Sequence, residues 1–285
     1  PCTIMKTLYI HCDGGFGNRF NTLIVGLQIA RIGNFNPIIS WAYTNSCRAS
    51  FDDIFENKFK VVPSRLEEYS DSFSEYELIM HENQLNWNAQ IRSPYSFSTI
   101  DQIVSHYNNS TKDSLFYFNN LIPNYSDLNL SLISELQFKK KYYETVKNFL
   151  PDNNYIGVHL RSTDFPQGSI NFDEIYQKIK ISDKKHFVCS DSLDVENKFN
   201  QLDNVFTFPK TSYVKKINPH KGWSVPKGQI KDEVGKPISF NVERSSESVM
   251  QSIVDLLILS KSDIMLTSDS TFLSTAILLK KYKKL

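Results

Sequence analysis

The sequence contains little cysteine, and its cysteines are not paired in any recognisable pattern. Its 285 residues include four without Cys-x-x-Cys spacing, at Cys2, Cys12, Cys47 and Cys189. Four scattered thiols are too few to form a disulfide framework in a chain of this length. We therefore expect the protein to work in a reducing compartment.

Long apolar runs and an excess of charge are also absent. No run approaches the roughly 18 apolar residues that a membrane helix needs, and the N-terminus lacks the order of a signal peptide. Lys and Arg number 32 against 31 Asp and Glu, so the formal net charge of +1 gives no case for a nucleic-acid partner. These absences predict a cytoplasmic protein.

Four lysines lie close together near the C-terminus, at Lys280, Lys281, Lys283 and Lys284. These side chains could make weak contact with anionic lipid at the inner face of the membrane. They could equally be a solvated helix end, where positive charge suits the helix dipole. The second interpretation is the simpler one.

The composition and the order of the elements predict two α/β domains. Hydrophobic residues make up 40% of the chain, enough for a sizeable core, and its length exceeds the common size of one domain. The chain opens with a strand over 7–12, a helix over 18–31 and a strand over 37–41. The Pro-Asp-Asn-Asn cluster that starts at Pro151 marks a boundary, so we predict domains over 1–150 and 151–285.

The second half alternates regularly between strands and helices. We predict strands over 155–160, 186–190, 205–208 and 264–267, and helices over 172–181, 192–200, 245–260 and 271–282. Such alternation is typical of a parallel sheet with right-handed crossovers.

Three further stretches carry weaker signals. Residues 45–130 give one clear strand, over 115–118, and a helix over 134–149 ends the first half. The segment 209–243 is punctuated by proline and glycine, which predicts a functional loop, and we interpret it as a candidate active-site flap.

A glycine loop separates the first strand from the first helix. Its residues are Asp13, Gly14, Gly15, Phe16, Gly17, Asn18 and Arg19. Glycines let the backbone approach a ligand, and the free N–H groups of a helix start attract an anion. No acidic residue occurs from Gly14 to Phe51, so the local field is expected to be positive. A tight turn without a ligand is the alternative interpretation.

Two common phosphate motifs do not fit this loop. A Walker loop needs Gly-Lys followed by Ser or Thr, whereas the chain has Asn18-Arg19-Phe20. A dinucleotide fingerprint needs a glycine in place of Phe20 and an acid after the second strand, which ends in Ser40-Trp41. The loop therefore excludes a P-loop kinase and an NAD site.

Polar side chains follow three strands of the second half, where parallel sheets bind their ligands. They are His159, Arg161, Asp164, Ser190, Asp191, Ser268, Asp269, Ser270 and Thr271. Helix capping accounts for Ser192 and Ser270 without a ligand. It does not account for Arg161, whose guanidinium fork suits two phosphate oxygens. We therefore expect Arg161 to bind a diphosphate, with His159 and Asp164 beside it.

Three segments resemble motifs of the fucosyltransferase superfamily, which includes bacterial α-1,2, nodulation and core α-1,6, and protein O-fucosyltransferases. They are GGFGNRFN at 14–21, GVHLRSTDF at 157–165 and LLILSKSDIMLTSDSTFLSTAILL at 256–279, in the family's order. The stretch 45–150 shows no such resemblance. Several members carry a second arginine where this chain has Ser162, which leaves the linkage open.

The resemblance implies a GT-B-like fold, with two Rossmann-like domains that face a cleft. It implies an acceptor-side N-terminal domain, a C-terminal domain that binds the nucleotide sugar, and metal-independent, inverting transfer of fucose from GDP-fucose to a glycan. Arg161 would contact the β-phosphate, Asp164 would support its loop, and Asn18 would face the donor. The turn over 267–272, including Phe272, would lie by the diphosphate.

The residues themselves also argue against a metal ion. No Asp-x-Asp pair is present to hold a divalent ion under a sugar diphosphate, so Arg161 and helix N-termini must supply the positive charge. We expect no cofactor. Asp13 is the candidate general base, although the leaving phosphate could also take the proton.

Other functions stay open at this point. The same motifs would suit a transferase that uses another nucleotide sugar, or a non-catalytic module that binds a nucleotide sugar or a glycan. A phosphotransferase is disfavoured because the Gly-Lys-Ser/Thr motif is missing. The high Asn, Lys and Ile content is consistent with a bacterial enzyme of surface-polysaccharide synthesis.

Overall fold

A computed structural model describes most of the chain. The described residues are 5–63, 76–80, 97–118, 126–150, 154–163, 171–226, 228–231, 235, 237–238, 241–268 and 270–283. No helix within these ranges combines the length and apolar character needed to cross a membrane.

The chain divides into two compact units, and three chain segments contribute to each. The first unit comprises Pro1–Tyr43, Ser50–Asp52 and Asn57–Gln137. The second comprises Thr44–Ala49, Asp53–Glu56 and Phe138–Leu285.

The first unit contains a five-stranded parallel sheet. Its strands are β1 (Thr7–Cys12), β2 (Asn36–Trp41), β3 (Lys60–Val62), β4 (Tyr76–Met80) and β5 (Ser114–Phe118). Their spatial order is β3-β2-β1-β5-β4, and every neighbouring pair runs parallel. Strands β2 and β3 therefore lie on one side of β1, and β5 and β4 lie on its other side, which is a doubly wound arrangement.

Helix α1 (Phe16–Gly33) packs against β1, β2 and β5 of this sheet. Gly26 allows the close approach, because a Cβ atom there would lie 2.5 Å from Cγ2 of Ile10 on β1. The helix ends at Asn34, which adopts the left-handed conformation with φ of 53°. Helix α3 (Ile100–Asn109) and a 3-10 helix over Leu130–Glu135 lie beside α1.

The second unit contains a four-stranded parallel sheet. Its strands are β6 (Ile156–Leu160), β7 (His186–Ser190), β8 (Val205–Phe206) and β11 (Asp263–Met265), in the order β11-β6-β7-β8. A short antiparallel pair, β9 (Ile230–Lys231) and β10 (Pro237–Ile238), lies outside it. The mixed α/β class and the parallel sheets predicted from the sequence are confirmed.

Helices cover both faces of this second sheet. One face packs Val158, Leu160 and Val188 against Ile179 of α5 (Phe172–Lys180) and Phe199 of α6 (Leu193–Phe199). On the opposite face lie α7 (Ser246–Lys261) and α8 (Thr271–Tyr282), which pack against each other. Because side chains alternate along β6, Val158 and Leu160 face α5 and α6, whereas Gly157 and His159 face α7 and α8.

The stretch 45–130 contains more regular structure than the sequence analysis predicted. Besides β5, the structure has helix α2 (Phe51–Ile54), strands β3 and β4, and helix α3. Strands of three to five residues carry too little alternation to be recognised from one sequence. The one strand predicted there, over 115–118, is confirmed as β5, and the other elements were not predicted.

The predicted helix over 134–149 was too long. Residues Leu130–Glu135 form the 3-10 helix, and helix α4 spans only Lys140–Phe149. Helix α4 packs against α7 and so belongs to the second unit. The sequence analysis had placed it at the end of the first half.

The segment interpreted as a flap, 209–243, has extensive internal contacts in its described parts. Asn241 is fully buried, and its side-chain amide donates to the carbonyl oxygens of Asn218 at 2.7 Å and Gly222 at 3.0 Å. Its backbone N–H donates to the carbonyl oxygen of Trp223 at 2.7 Å. A single buried asparagine thus organises the turn over 218–223.

Two of the four C-terminal lysines make contacts within the second unit. Lys280 donates to the carbonyl oxygen of Ser262 at 2.6 Å and pairs with Asp263 at 2.9 Å. The Lys283 ammonium lies 4.9 Å from the ring centre of Phe138, and burial lowers its pKa to about 8. Lys284 lies outside the described residues, and contact of this helix end with lipid stays a prediction.

Replacing Gly26 by alanine tests the close contact between α1 and β1. The added methyl group overlaps Ile10, so we expect a loss of about 1–3 kcal/mol in stability. Thermal unfolding measures the loss. Gly222→Ala is the matched control, because its Cβ atom meets only the Ser224 carbonyl oxygen at 3.4 Å. Equal unfolding temperatures for Gly26→Ala and the wild type would contradict the close packing.

Candidate functional site

The carboxyl end of the second sheet brings three predicted segments together. From β6 the strand order proceeds through β7 to β8, and β11 then pairs with the free side of β6. The order therefore reverses between β6 and β11, and ligands of open parallel sheets bind at such a point. Arg161 follows β6 directly, and residues 266–270 connect β11 to α8. The predicted convergence of the three strand ends is confirmed.

Asp191 connects the ends of β6 and β7. One of its carboxylate oxygens accepts the backbone N–H of Ser162 at 2.8 Å. Its other oxygen accepts the hydroxyl of Thr163. Beside it, the Ser190 hydroxyl donates to the carbonyl oxygen of Leu160 at 2.6 Å. The backbone on both sides of Arg161 is therefore held by groups at the end of β7.

His159 connects β6 to the start of α8. Its side chain is nearly buried, its Nδ1 lies 3.3 Å from the Ser270 hydroxyl, and its ring lies 4.8 Å from that of Phe272. The Thr267 hydroxyl donates to its carbonyl oxygen. Burial, with the positive charges of Arg161 and Lys210, lowers the pKa of His159 to about 3. The imidazole is therefore neutral at physiological pH.

The N-terminus of α8 lies at this rim. The Ser270 hydroxyl accepts the N–H of Leu273 at 3.1 Å, which confirms Ser270 as the cap. The first turn carries no acidic residue, and Thr271 and Phe272 are half-buried. An uncompensated helix start attracts an anion through its N–H groups and its dipole.

A buried ion cluster lies behind the end of β7. The Lys210 ammonium pairs with Glu196 of α6 and with Asp255 of α7, each at 2.6 Å, and it donates to the carbonyl oxygen of Ser190 at 2.7 Å. All three charged side chains are at most 4% exposed. Glu196 also accepts the Tyr213 hydroxyl at 2.6 Å and the N–H of Ser190 at 2.8 Å.

The cluster holds two carboxylates for one ammonium, so one negative charge is not balanced within it. Burial and the charge of Glu196 raise the pKa of Asp255 to about 7, against the opposing effect of Lys210. One oxygen of Asp255 has no hydrogen-bond partner, whereas both oxygens of Glu196 have donors. The burial of Asp255 and the missing donor at its second oxygen both favour its protonated form. The carboxylates in turn raise the pKa of Lys210, which stays charged.

The glycine loop occupies the corresponding position in the first unit. The strand order of that sheet reverses between β1 and β5, and the loop follows β1. Gly14 has a φ of +79°, which disfavours other residues. Gly15 caps α1 without a side-chain hydrogen bond, and a Cβ atom there would meet nothing within 4 Å. The start of α1 thus has the backbone geometry and the open space that an anion site needs.

Arg19 holds the backbone of this loop through hydrogen bonds from its side chain. Its side chain is fully buried, its Nε donates to the carbonyl oxygen of Gly14 at 2.8 Å, and its Nη1 donates to that of Ala42 at 2.6 Å. The guanidinium carbon also lies 5.1 Å from the ring centre of Trp41. We predicted a ligand contact for Arg19, but in the structure it braces the loop backbone.

Several solved structures with the same fold are fucosyltransferases. NodZ alpha-1,6-fucosyltransferase, co-crystallised with GDP, has a TM-score of 0.58 and 16% identity over 97% of this chain and 93% of that chain. A structure of NodZ from Bradyrhizobium has a TM-score of 0.57 and 16% identity over 96% and 92%. Arabidopsis thaliana FUT1, in complex with GDP, has a TM-score of 0.52 and 10% identity over 96% and 68%.

The chain has the fucosyltransferase fold. This fold agrees with the resemblance stated from three short motifs. No protein-family model matches the chain, and no curated protein matches its sequence.

On this fucosyltransferase fold, the predicted site residues fall into two groups. The second unit brings together His159, Arg161, Ser190, Asp191, Ser268, Ser270, Thr271 and Phe272. The first unit holds Asp13, Gly14, Gly15, Phe16, Gly17, Asn18 and Arg19. Asp164 and Asp269 lie outside the described residues, so their predicted roles stay predictions.

The sequence analysis missed Lys210, Glu196 and Asp255. Lys210 lies in the segment interpreted as a flap, and the sequence alone does not place it beside α6 and α7. Asp255 offered a signal, because it is the one charged residue within the apolar run from Ile253 to Leu259. An acid in such a run is normally paired when it is buried.

Metal ligands do not cluster in the described part of the chain. No group of three or more His, Cys, Asp or Glu side chains among those residues is placed to hold a metal ion.

Asp255→Asn should change how stability depends on pH. The pKa of Asp255 is raised from 3.8 to about 7, so the folded chain keeps a proton that the unfolded chain releases as the pH passes about 4. Through this group the free energy of unfolding falls between about pH 4 and pH 7 and is constant above. Asparagine cannot titrate, so this decline is absent in the variant.

Thermal unfolding measured at several pH values tests this expectation. The unfolding temperature of Asp255→Asn, relative to the wild type, should rise with pH up to about 7 and then level off. Asp194→Asn, at an exposed position of α6, is the control. A constant difference between Asp255→Asn and the wild type would place the proton elsewhere.

Proposed function

We propose that this chain is an inverting, metal-independent glycosyltransferase that moves fucose from GDP-fucose to a glycan hydroxyl in surface-polysaccharide synthesis. The observation that carries the proposal is the position of Arg161, at the point where the strand order of the second sheet reverses. The fold supports it, since NodZ structures of this fold were obtained with GDP and by soaking with GDP-fucose.

The rim of the second sheet has the charge that a diphosphate needs. Arg161 supplies a guanidinium whose fork matches two phosphate oxygens. The start of α8 supplies N–H groups without a nearby acid among the described residues of its first turn. His159 is neutral and buried, so it shapes the rim without adding charge. The donor's β-phosphate is the group that we assign to this rim.

The proposed reaction needs positive charge at the leaving group. The acceptor hydroxyl oxygen forms a bond to the anomeric carbon while the bond from that carbon to the β-phosphate oxygen breaks. The electron pair of the broken bond stays on the diphosphate, whose negative charge grows in the transition state. Arg161 and the helix start stabilise this growing charge, so in the proposal no metal ion is required.

The glycine loop of the first unit is proposed to supply the base and further contacts to the donor. Asp13 follows β1 at the glycine loop and is half-buried, and we propose it as the base that takes the proton of the acceptor hydroxyl. The start of α1 and Asn18 are proposed to contact the donor. These assignments extend the proposal to a GT-B enzyme, in which both Rossmann-like units act on one donor.

A thermal-shift screen identifies the nucleotide. GDP and GDP-fucose should raise the unfolding temperature more than UDP, ADP or their sugar conjugates, because at equal concentration the ligand that binds more tightly stabilises the folded state more. EDTA should leave the shift and the transfer rate unchanged.

The other outcomes point to other functions. A larger rise in unfolding temperature with another nucleotide sugar would indicate that the donor sugar is not fucose. Binding of GDP-fucose without transfer or hydrolysis would favour a binding module, and dependence on magnesium would favour phosphoryl transfer.

Arg161→Ala should reduce the transfer rate at least a hundredfold. Loss of a group that stabilises a developing charge typically costs roughly 3 kcal/mol of transition-state stabilisation. Asp13→Asn should also lower the rate if Asp13 is the base. Arg31→Ala is the control, because Arg31 forms only an exposed ion pair with Glu135 among the contacts described. A normal transfer rate in Arg161→Ala would contradict the proposal. A normal rate in Asp13→Asn would show that Asp13 is not the base, and the departing phosphate would then be the group that takes the proton.

A further inference from the structure

The ion cluster around Lys210 is connected to the rim of the second sheet by a short peptide segment. We call residues 210–214 the strap. It begins at Lys210 and ends at Val214, whose backbone N–H donates to the carbonyl oxygen of Asp191 at 3.3 Å. The strap therefore leads from the buried cluster to the residue that holds the loop after β6.

Several side chains of α6 and α7 fix the strap. Gln251 accepts the backbone N–H groups of Thr211 at 3.1 Å and Ser212 at 3.0 Å. The Tyr213 hydroxyl donates to Glu196 at 2.6 Å, and the Lys210 ammonium lies 5.0 Å from the ring centre of Tyr213. Two of these anchors also bond directly to the end of β7: Lys210 donates to the carbonyl oxygen of Ser190, and Glu196 accepts the N–H of Ser190.

A continuous series of hydrogen bonds then leads to the segment that carries Arg161. Lys210 holds the backbone of Ser190, and Val214 holds that of Asp191. The carboxylate of Asp191 holds Ser162 and Thr163. A displacement of Lys210 would move the Asp191 carboxylate, and with it the backbone that follows Arg161.

We propose that Lys210 is a positioning residue for the donor's diphosphate: it holds Asp191, and through Asp191 the loop after β6, in the geometry that lets Arg161 bind the β-phosphate. This inference rests on the proposed function. It adds a residue that no motif of the sequence indicated.

The chemistry of the cluster favours positioning over simple stabilisation. A buried ion pair is commonly no more stable than well-packed apolar residues of similar volume. An ammonium that serves two carboxylates and a carbonyl oxygen does, however, fix four backbone elements relative to one another: the strap, α6, α7 and the end of β7. Such a contact defines geometry at the end of β7, where the binding loop is attached.

The affinity ratio of two nucleotides isolates this effect. GDP and GMP differ by the β-phosphate, so the ratio of their Kd values reports the β-phosphate contact whatever happens to the rest of the nucleotide. Titration calorimetry would compare the wild type, Lys210→Met, Arg161→Ala and the double variant. We expect the ratio of the Kd for GMP to the Kd for GDP to fall about tenfold in Lys210→Met. The double variant should have the same ratio as Arg161→Ala alone, because both changes act on one contact.

Two further variants keep the test interpretable. Lys198→Met removes a different lysine, one that pairs with Asp173 on the surface, and should leave the ratio unchanged. Tyr213→Phe removes only the hydroxyl that bonds to Glu196, so it tests the strap if Lys210→Met does not fold. It should lower the preference for GDP in the same direction by a smaller factor. Hydrogen exchange at the Ser162 amide should quicken in both strap variants and not in Lys198→Met.

The outcomes separate the two proposals. If Arg161→Ala leaves the ratio unchanged, the proposed function is wrong at its central residue. If Arg161→Ala lowers the ratio but Lys210→Met and Tyr213→Phe do not, the positioning role is wrong and the function stands. Equal weakening of GDP and GMP, with a normal exchange rate at Ser162, would also reduce Lys210 to a purely structural residue.

Discussion

The carboxylate of Asp191 is the contact on which the candidate site depends. It accepts a backbone N–H and a hydroxyl from the two residues after Arg161, and so attaches the end of β6 to the end of β7. A carboxylate can satisfy several donors at once. Asp191 thus fixes the backbone that follows Arg161 at the rim of the sheet. The strap and the ion cluster hold the end of β7, to which Asp191 belongs.

Much of this frame could be predicted because parallel sheets place function at predictable positions. The strands β1 and β7 were predicted with the bounds that the structure has, and the ends of β6, β7 and β11 do meet. Alternation of strand and helix needs only local apolar periodicity, which one sequence displays. The capping role of Ser270 is local in the same sense. Ser192, by contrast, makes no side-chain cap hydrogen bond, and its backbone N–H bonds to the Ser190 hydroxyl instead.

The parts that could not be predicted depend on contacts between distant residues. Lys210 meets Asp255 across 45 positions of the chain, and nothing near either residue indicates the other. Arg19 was assigned to a ligand by its neighbourhood of glycines, yet Ala42, a residue beyond the next strand, draws its guanidinium inward. The short strands β3 and β4 obtain their hydrogen bonds from neighbours that are already in place. In each case tertiary contacts decide what local sequence leaves open.

The alternation of β6 has a consequence for how this protein can change over time. Val158 and Leu160 face the apolar layer of α5 and α6, while Gly157 and His159 face α7 and α8. Substitutions at the first pair alter core volume, and substitutions at the second alter the approach of the helices that border the rim. Neighbouring positions of one five-residue strand are therefore under separate physical constraints, one set by the volume of the core and the other by the room left for the helices at the rim.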